Sequence, residues 1–247
     1  MRKLVILPLL TLQIACQDVE SKSIYTQAME AEYTVQITGD TALVSASLSL
    51  SDETPKTFVE LSGNDSLSAL VGDTSHPLVH EGQLVQHAYG QSIDLEGATD
   101  ISIAFYREHG DDAIDSSIAI PPEFQLDSPV NNQLVPIGDE LEVLWSDIGA
   151  EGVLGLWVSG DCFMDYDREI DSLQGNHIIQ TSELTFFDGE NSACNAELTI
   201  EYRSQGTLDP MFSGGSFTAT RVQQTNIIFV PSESVPSEDS GSDEPNG

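Results

Sequence analysis

The stretch VSASLSLS, residues 44–51, alternates apolar and hydroxyl side chains without interruption. Val44, Ala46 and Leu48 fall on one side of an extended chain and the serines on the other, because successive side chains of a β-strand point to opposite faces. This two-residue period predicts a strand with one buried and one solvated face. Strands of this kind are typical of antiparallel sheets.

The same alternation recurs along the chain, and it predicts the fold class. Further alternating segments lie at residues 33–37, 101–105, 141–145 and 196–202. Turn-forming clusters separate the segments, at residues 39–40, 63–65, 110–112 and 189–191. Many short strands with turns between them predict an all-β chain that forms antiparallel β-sandwiches.

The N-terminus has the parts of an export signal. Arg2 and Lys3 precede an uncharged, mostly apolar run over residues 4–15. A basic start and an apolar run of this length are typical of secretory signals, and the run is too short to span a bilayer, which needs about 20 helical residues. We therefore predict a signal peptide over residues 1–15.

The residues LQIAC, 12–16, resemble the bacterial lipobox, in which a small residue precedes a cysteine that becomes lipidated. The resemblance implies lipid attachment at Cys16 and a lipidated tether over residues 16–23. Gln17 follows the cysteine, and by resemblance to the enteric sorting pattern this implies the outer membrane, on its periplasmic or surface face. Ordinary signal cleavage without lipid is the alternative.

The chain contains three cysteines, Cys16, Cys162 and Cys194. If Cys16 carries lipid, the other two remain to pair with each other, as expected in an oxidising compartment. Cys194 shares the parity of the apolar residues that follow it, and Cys162 shares that of Leu156 and Val158. Both side chains should therefore point inward, which predicts a Cys162–Cys194 disulfide, with two buried free thiols as the alternative.

Two consecutive prolines, Pro121 and Pro122, predict a domain boundary because they interrupt sheet pairing and stiffen a short connection. We expect a first β-sandwich over residues 24–121 and a second over residues 122–231. The remaining residues, 232–247, hold five acids and no base, which predicts a disordered acidic tail.

The second predicted domain opens with FQLDSPVNNQLVPIGDELEVLWS, residues 124–146. This segment resembles the start of bacterial immunoglobulin-like or fibronectin type III-like modules, in which a proline-containing turn leads to a strand with an inward tryptophan. The matching positions are Phe124, Pro129, Val143 and Trp145. The resemblance implies an architecture and no particular activity.

The formal charge is -33, and it becomes -35 once Arg2 and Lys3 leave with the signal. A surface of this sign repels nucleic acid and anionic lipid head groups, so we expect no nucleic-acid partner. The charge is consistent with a solvating surface and also with cation binding.

The sequence DYDREID, residues 165–171, places Asp165, Asp167, Glu169 and Asp171 at every second position. This spacing resembles a calcium loop, whose oxygen ligands come at alternate residues. The glycine of that pattern is replaced by Ile170, and its twelfth position is Asn176 instead of glutamate. The four acids are weak calcium candidates, with a solvated acidic loop as the alternative, and we expect no other cofactor.

Motifs of nucleophilic, phosphate-binding or zinc-dependent catalysis are absent from the sequence. We therefore expect no enzyme, and predict a membrane-anchored binding, adhesion or structural module of the cell envelope, whose partner is an envelope protein or a polysaccharide. A carbohydrate-binding accessory protein or a hydrolase is the alternative. A shallow aromatic platform with polar neighbours would favour sugar binding, and a cleft with two convergent carboxylates would favour catalysis.

Overall fold

The computed structural model describes residues 18–50, 56–80, 88–146, 148, 153–187 and 193–232. Short 3-10 helices cover Ser21–Ser23, Thr26–Ala28, Ser172–Gln174 and Thr181–Glu183. The strands of the described residues are β1 Val19–Glu20, β2 Met29–Thr38, β3 Thr41–Leu50, β4 Val59–Glu60, β5 Ser66–Val71, β6 Thr74–Pro77, β7 Val79–His80, β8 Tyr89–Asp94, β9 Asp100–Tyr106, β10 Ala113–Ala119, β11 Leu126–Ser128, β12 Gln133–Pro136, β13 Glu140–Trp145, β14 Val153–Gly160, β15 Tyr166–Asp171, β16 Asn176–Gln180, β17 Cys194–Gln205 and β18 Gly214–Val230.

The all-β fold predicted from the alternation is confirmed. In β3 the side chains of Val44, Ala46 and Leu48 are buried, while Ser45 and Ser47 on the other face are half-buried. Most strand pairs are antiparallel, as expected, but β18 pairs in parallel with both β2 and β12. No helix in the described part of the chain is long and apolar enough to cross a membrane.

The described residues form two hydrophobic cores, and each core lies between two layers of β-sheet. The first core is enclosed by the sheet β10-β9-β5-β6 and by the half of a large sheet that contains β2, β3 and β8. The second is enclosed by the sheet β11-β13-β16 and by the other half of the large sheet, with β14 and β17. Trp145 is buried in this second sandwich, as the immunoglobulin-like resemblance implies, and Phe124, Pro129 and Val143 are buried as well.

The large sheet is continuous from one sandwich to the other, in the order β15-β14-β17-β18-β2-β3-β8-β7. Its central strand β18 pairs with β2 over its first half and with β12 over its last four residues. Phe217 and Ala219 consequently pack in the first core, and Ile227 and Phe229 pack in the second. The division predicted at residues 121 and 122 assigns all of this strand to the second domain, whereas β18 belongs to both sandwiches.

The segment that precedes β2 is docked on the first sandwich. Val19 and Glu20, within the tether predicted from the sequence, pair in parallel with β4. The predicted signal peptide and Cys16 lie outside the described residues, as does the acidic tail after Ser232. The lipid anchor and the disordered tail therefore stay predictions.

Candidate functional site

The predicted disulfide between Cys162 and Cys194 is confirmed. Cys162 follows the end of β14, Cys194 begins β17, and their Cα atoms are 6.1 Å apart. Both side chains are buried in the second core, where the parity argument placed them. The bridge fixes the end of the sandwich at which Phe163 pairs with Phe186.

The four acidic residues proposed as calcium ligands lie on or beside β15, the edge strand of the large sheet. Asp165, Asp167, Glu169 and Asp171 are all exposed, and the carboxylate of Asp171 already accepts a hydrogen bond from the backbone of Leu173. No group of three or more metal-ligating side chains occurs among the described residues. Charges on an exposed edge strand hinder it from pairing with other chains, and the alternating acids of β15 fit that role. Calcium binding by these residues stays a prediction.

The outward face of the second sandwich carries Trp157. It lies on β14, between the exposed Asp167 of β15 and the half-buried Thr199 of β17. Gln224 of β18 continues this row, and its amide donates to the Thr199 hydroxyl at 3.3 Å. The four side chains form a straight row across four strands, which spans about 14 Å at a strand spacing of about 4.8 Å.

The indole of Trp157 leans along its strand and lies over Gly155. A Cβ atom at position 155 would lie 1.9 Å from the Cη2 atom of the indole and 2.2 Å from its Cζ3 atom. Any larger residue at 155 would therefore displace the ring from the sheet. Gly155 and Trp157, two positions apart on one face, make a shallow aromatic surface.

A charged side chain lies over the indole. The guanidinium carbon of Arg203 lies 5.0 Å from the centroid of the ring, and Glu201 holds the guanidinium at 2.9 Å. We call Trp157, Thr199, Glu201, Arg203 and Gln224 the Trp157 platform. It combines an apolar ring with hydrogen-bond donors and acceptors whose side chains are planar or short.

A pocket of about 610 Å³ lies at the junction of the two sandwiches. We call it the junction pocket, and its polar lining residues are Asp40, Glu123, Gln125, Ser146, Arg221 and Gln223. Arg221 is 5% exposed, and it lies where β18 passes from the first core to the second. Burial lowers the pKa of its guanidinium, and the nearby charges of Glu123 and Asp40 raise it.

A second cleft, of about 450 Å³, lies in the first sandwich beside the turns that follow β5 and β8. Asp73, Asp94 and Glu96 line it, and all three are exposed. The proton-donating carboxyl of a glycosidase is normally set in an apolar environment. The carboxylates of this cleft do not have that environment, so the cleft offers no argument for catalysis.

Sequence reasoning did not identify either Trp157 or Arg221, although both have a signal. Trp157 is flanked by Leu156 and Val158, whose inward parity turns the tryptophan outward. Arg221 shares the parity of Phe217 and Ala219, so an arginine occupies an inward position of an otherwise apolar strand face. A half-buried tryptophan on the outward face of a sheet and a buried arginine are both departures from the usual pattern.

No family model matches the chain, and no curated protein matches it. Among solved structures, the fibronectin(III)-like modules of Clostridium thermocellum CbhA are 11% identical, with 84% of this chain and 94% of that chain covered and a TM-score of 0.27. Bacteroides ovatus SGBP-B, from a mixed-linkage glucan utilization locus and in complex with a mixed-linkage heptasaccharide, is 9% identical over 96% and 74%, with a TM-score of 0.23. The two tandem V-type regions of VCBP3, a v-region-containing chitin binding protein, are 11% identical over 83% and 100%, with a TM-score of 0.21. Similarity at this level carries no conclusion about a ligand, a partner or an activity of this chain.

Proposed function

We propose that this chain is a lipid-anchored module of the cell envelope that binds a neutral polysaccharide on the Trp157 platform. The observation that carries the proposal is the position of the indole, which lies on the outer face of the sheet over Gly155. A pyranose ring presents a face of C–H groups, and these match the negative face of an aromatic ring. An aromatic surface with polar neighbours is the feature that would favour sugar binding, and it supports this proposal.

The polar neighbours of Trp157 suit the hydroxyl groups of a sugar. Arg203 and Gln224 supply donors, Glu201 supplies acceptors, and Thr199 supplies both. Arg203 lies over the indole, but its side chain is 53% exposed, so a ligand can displace it without loss of a buried contact. An indole that packs against the backbone at Gly155 is held in place before a ligand arrives, which lowers the entropic cost of binding.

The charge of the face selects among polysaccharides. Asp167, Glu169, Glu197 and Glu201 point outward on the same strands, with Arg203 as the cation among them. Like charges across an interface disfavour binding, so this face should repel uronate-rich or sulfated chains. A neutral chain that crosses the row of about 14 Å avoids that repulsion.

Binding of a soluble neutral β-glucan by the mature, disulfide-intact chain tests the proposal by calorimetry. Trp157→Ala should lower the affinity at least about tenfold, as expected for an aromatic anchor. Gly155→Ala keeps the indole but moves it, so it should also weaken binding. Tyr25→Ala is the matched control, since Tyr25 is an aromatic residue with 83% exposure on the first sandwich.

Two results would contradict the proposal. One is a Trp157→Ala variant that binds the glucan as tightly as the unchanged chain does. The other is tighter binding of a polyanionic chain such as polygalacturonate than of any neutral one. A near-UV circular dichroism spectrum retained by each variant, with the buried Trp145 as the reporter, keeps a folding defect separate from a loss of binding.

A further inference from the structure

The junction pocket lies where the pairing of β18 changes partner. On one side β2 pairs with this strand as far as Arg221, and β12 takes its place from Ile227 onward. The pocket is lined by the turn after β2, by the start of the second sandwich and by the stretch of β18 between the two partners. Pockets for small ligands often occur at such junctions between domains, and their volumes are about 300–1000 Å³.

The buried guanidinium of Arg221 is only partly satisfied by the protein. Its Nε atom donates to the Pro121 carbonyl and one terminal nitrogen donates to the Gly39 carbonyl, each at 3.0 Å. Within the described residues, the other terminal nitrogen has no acceptor at hydrogen-bonding distance, and Glu123 and Asp40 act on the group through their charges without a hydrogen bond. Since Arg221 also lines the pocket, its free donors are available to a ligand there.

We propose that the junction pocket binds a small carboxylate that carries hydroxyl or ammonium donors on neighbouring atoms. A carboxylate is the group that a guanidinium binds in a fork of two parallel hydrogen bonds. Asp40 and Glu123 at the exposed side of the pocket can accept from the donors of such a ligand. A sugar acid and an amino acid both present this chemistry.

The charges and polar groups of the other lining residues restrict which ligands the junction pocket can bind. The two carboxylates and the single guanidinium give the pocket a net negative charge, so a multiply charged anion such as phosphate is disfavoured. Gln125, Gln223 and Ser146 add neutral donors and acceptors, and the buried Phe124 adds an apolar contact.

The site is separate from the Trp157 platform, because Arg221 and Gln223 lie on the core side of β18 while Gln224 faces outward.

Calorimetry and thermal unfolding of the mature chain test the proposal with four probes at matched ionic strength. D-glucuronate represents sugar acids and glycine represents amino acids, while D-glucose lacks the carboxylate and acetate lacks the neighbouring donors. We expect one of the first two to bind and to raise the melting temperature, because a ligand of the folded state stabilises it by mass action. Each control should bind at least about tenfold more weakly.

Three variants locate the site. Arg221→Lys keeps the charge but loses the fork, and it should weaken the probe at least about tenfold. Gln223→Phe leaves Arg221 in place but puts a bulky apolar ring in the pocket, so it should abolish binding, which provides a test even if Arg221→Lys does not fold. Trp157→Ala is the control and should leave binding of the probe unchanged, so failure here and failure of polysaccharide binding are distinguishable.

Each result of these binding experiments either supports or overturns the proposed carboxylate site. Binding of glucuronate alone identifies a sugar acid, and binding of glycine alone identifies an amino acid. The proposal is overturned if neither glucuronate nor glycine binds, if acetate binds equally well, or if binding survives Gln223→Phe.

Discussion

The guanidinium of Arg107 and the carboxylate of Asp65 form an ion pair at 2.9 Å with both side chains out of contact with solvent, at 1% and 0% exposure. The same guanidinium donates to the carbonyls of Ser21 and Ile24 and to the hydroxyl of Thr26. One buried cation therefore fastens the segment before β2 to the first sandwich.

Removal of this cation should be costly. Arg107→Ala leaves Asp65 buried without its partner, and breaking a buried pair in this way costs about 3–5 kcal/mol of the free energy of unfolding. Urea denaturation measures that loss, and trypsin should then cleave after Lys22 in the released segment. Arg203→Ala, at the exposed pair with Glu201, is the control and should cost less than about 1 kcal/mol.

Tyr33 contrasts with Arg107, because in the described part of the chain its buried polar group lacks the hydrogen bonds that the Arg107 guanidinium has. Its ring packs edge-to-face against Phe212 and Phe217 in the first core, but its hydroxyl has no hydrogen-bond partner among the described residues. Tyr33→Phe should leave the free energy of unfolding unchanged or raise it by up to about 1 kcal/mol. Tyr89→Phe is the comparison: it strips the Leu61 amide of its acceptor and should cost about 1–3 kcal/mol. Equal losses in both variants would contradict this account.

Stability should fall in alkali, and Tyr33 should contribute to the fall. Burial raises the pKa of the Tyr33 hydroxyl well above its ordinary value, with a further contribution from the charge of Asp209. Because the folded pKa is the higher one, the contribution is fully present below the unfolded pKa of about 10 and is lost as the pH rises above it. The slope of the free energy of unfolding against pH, between about pH 10 and pH 11, should be shallower in Tyr33→Phe.

The disulfide should be a large contributor to the second sandwich. It joins residues 32 positions apart, and a loop of that length is worth about 3–4 kcal/mol in the chain-entropy model. Cys162→Ser combined with Cys194→Ser should lower the urea midpoint accordingly. The same variant should unfold identically with and without reductant, whereas the unchanged chain should lose stability when reduced.

The predicted membrane anchor depends on lipid attachment at the sulfur atom of Cys16. If Cys16 carries the lipid, Cys16→Ser should abolish labelling by a palmitate analogue and release the chain from the membrane fraction. Cys162→Ser combined with Cys194→Ser, which leaves Cys16 in place, should retain the label. Labelling that persists in Cys16→Ser would rule out this attachment site.

Local patterns predicted the strands, and the disulfide followed from the same parity. The alternation at residues 44–51 reports which side chains are inward, and β3 buries Val44, Ala46 and Leu48 as expected. Ser49, on the predicted wet face, is nevertheless only 4% exposed, because Phe58 pairs across it. Parity states which face is buried and leaves open what covers the other face.

Strand partners could not be predicted in this way. Nothing in the alternation of β2 indicates that its neighbour is β18, close to the other end of the chain. The platform and the junction pocket share this difficulty, since each combines residues from several strands. Gly155 and Trp157 are near in sequence, but Arg203 and Gln224 reach them only through the pairing of β14, β17 and β18.

The shared strand β18 also governs the order in which the chain can fold. The Ser213 hydroxyl binds the Met29 carbonyl across 184 residues, at the point where β18 begins to pair with β2. Contacts between such distant residues slow folding, because the long loop between them must be closed first. The first sandwich, made almost wholly from the N-terminal half, therefore completes its sheet only when residues 214–221 arrive. Until then the long edge of β2 stays open, and the nascent chain is most exposed to aggregation in that interval.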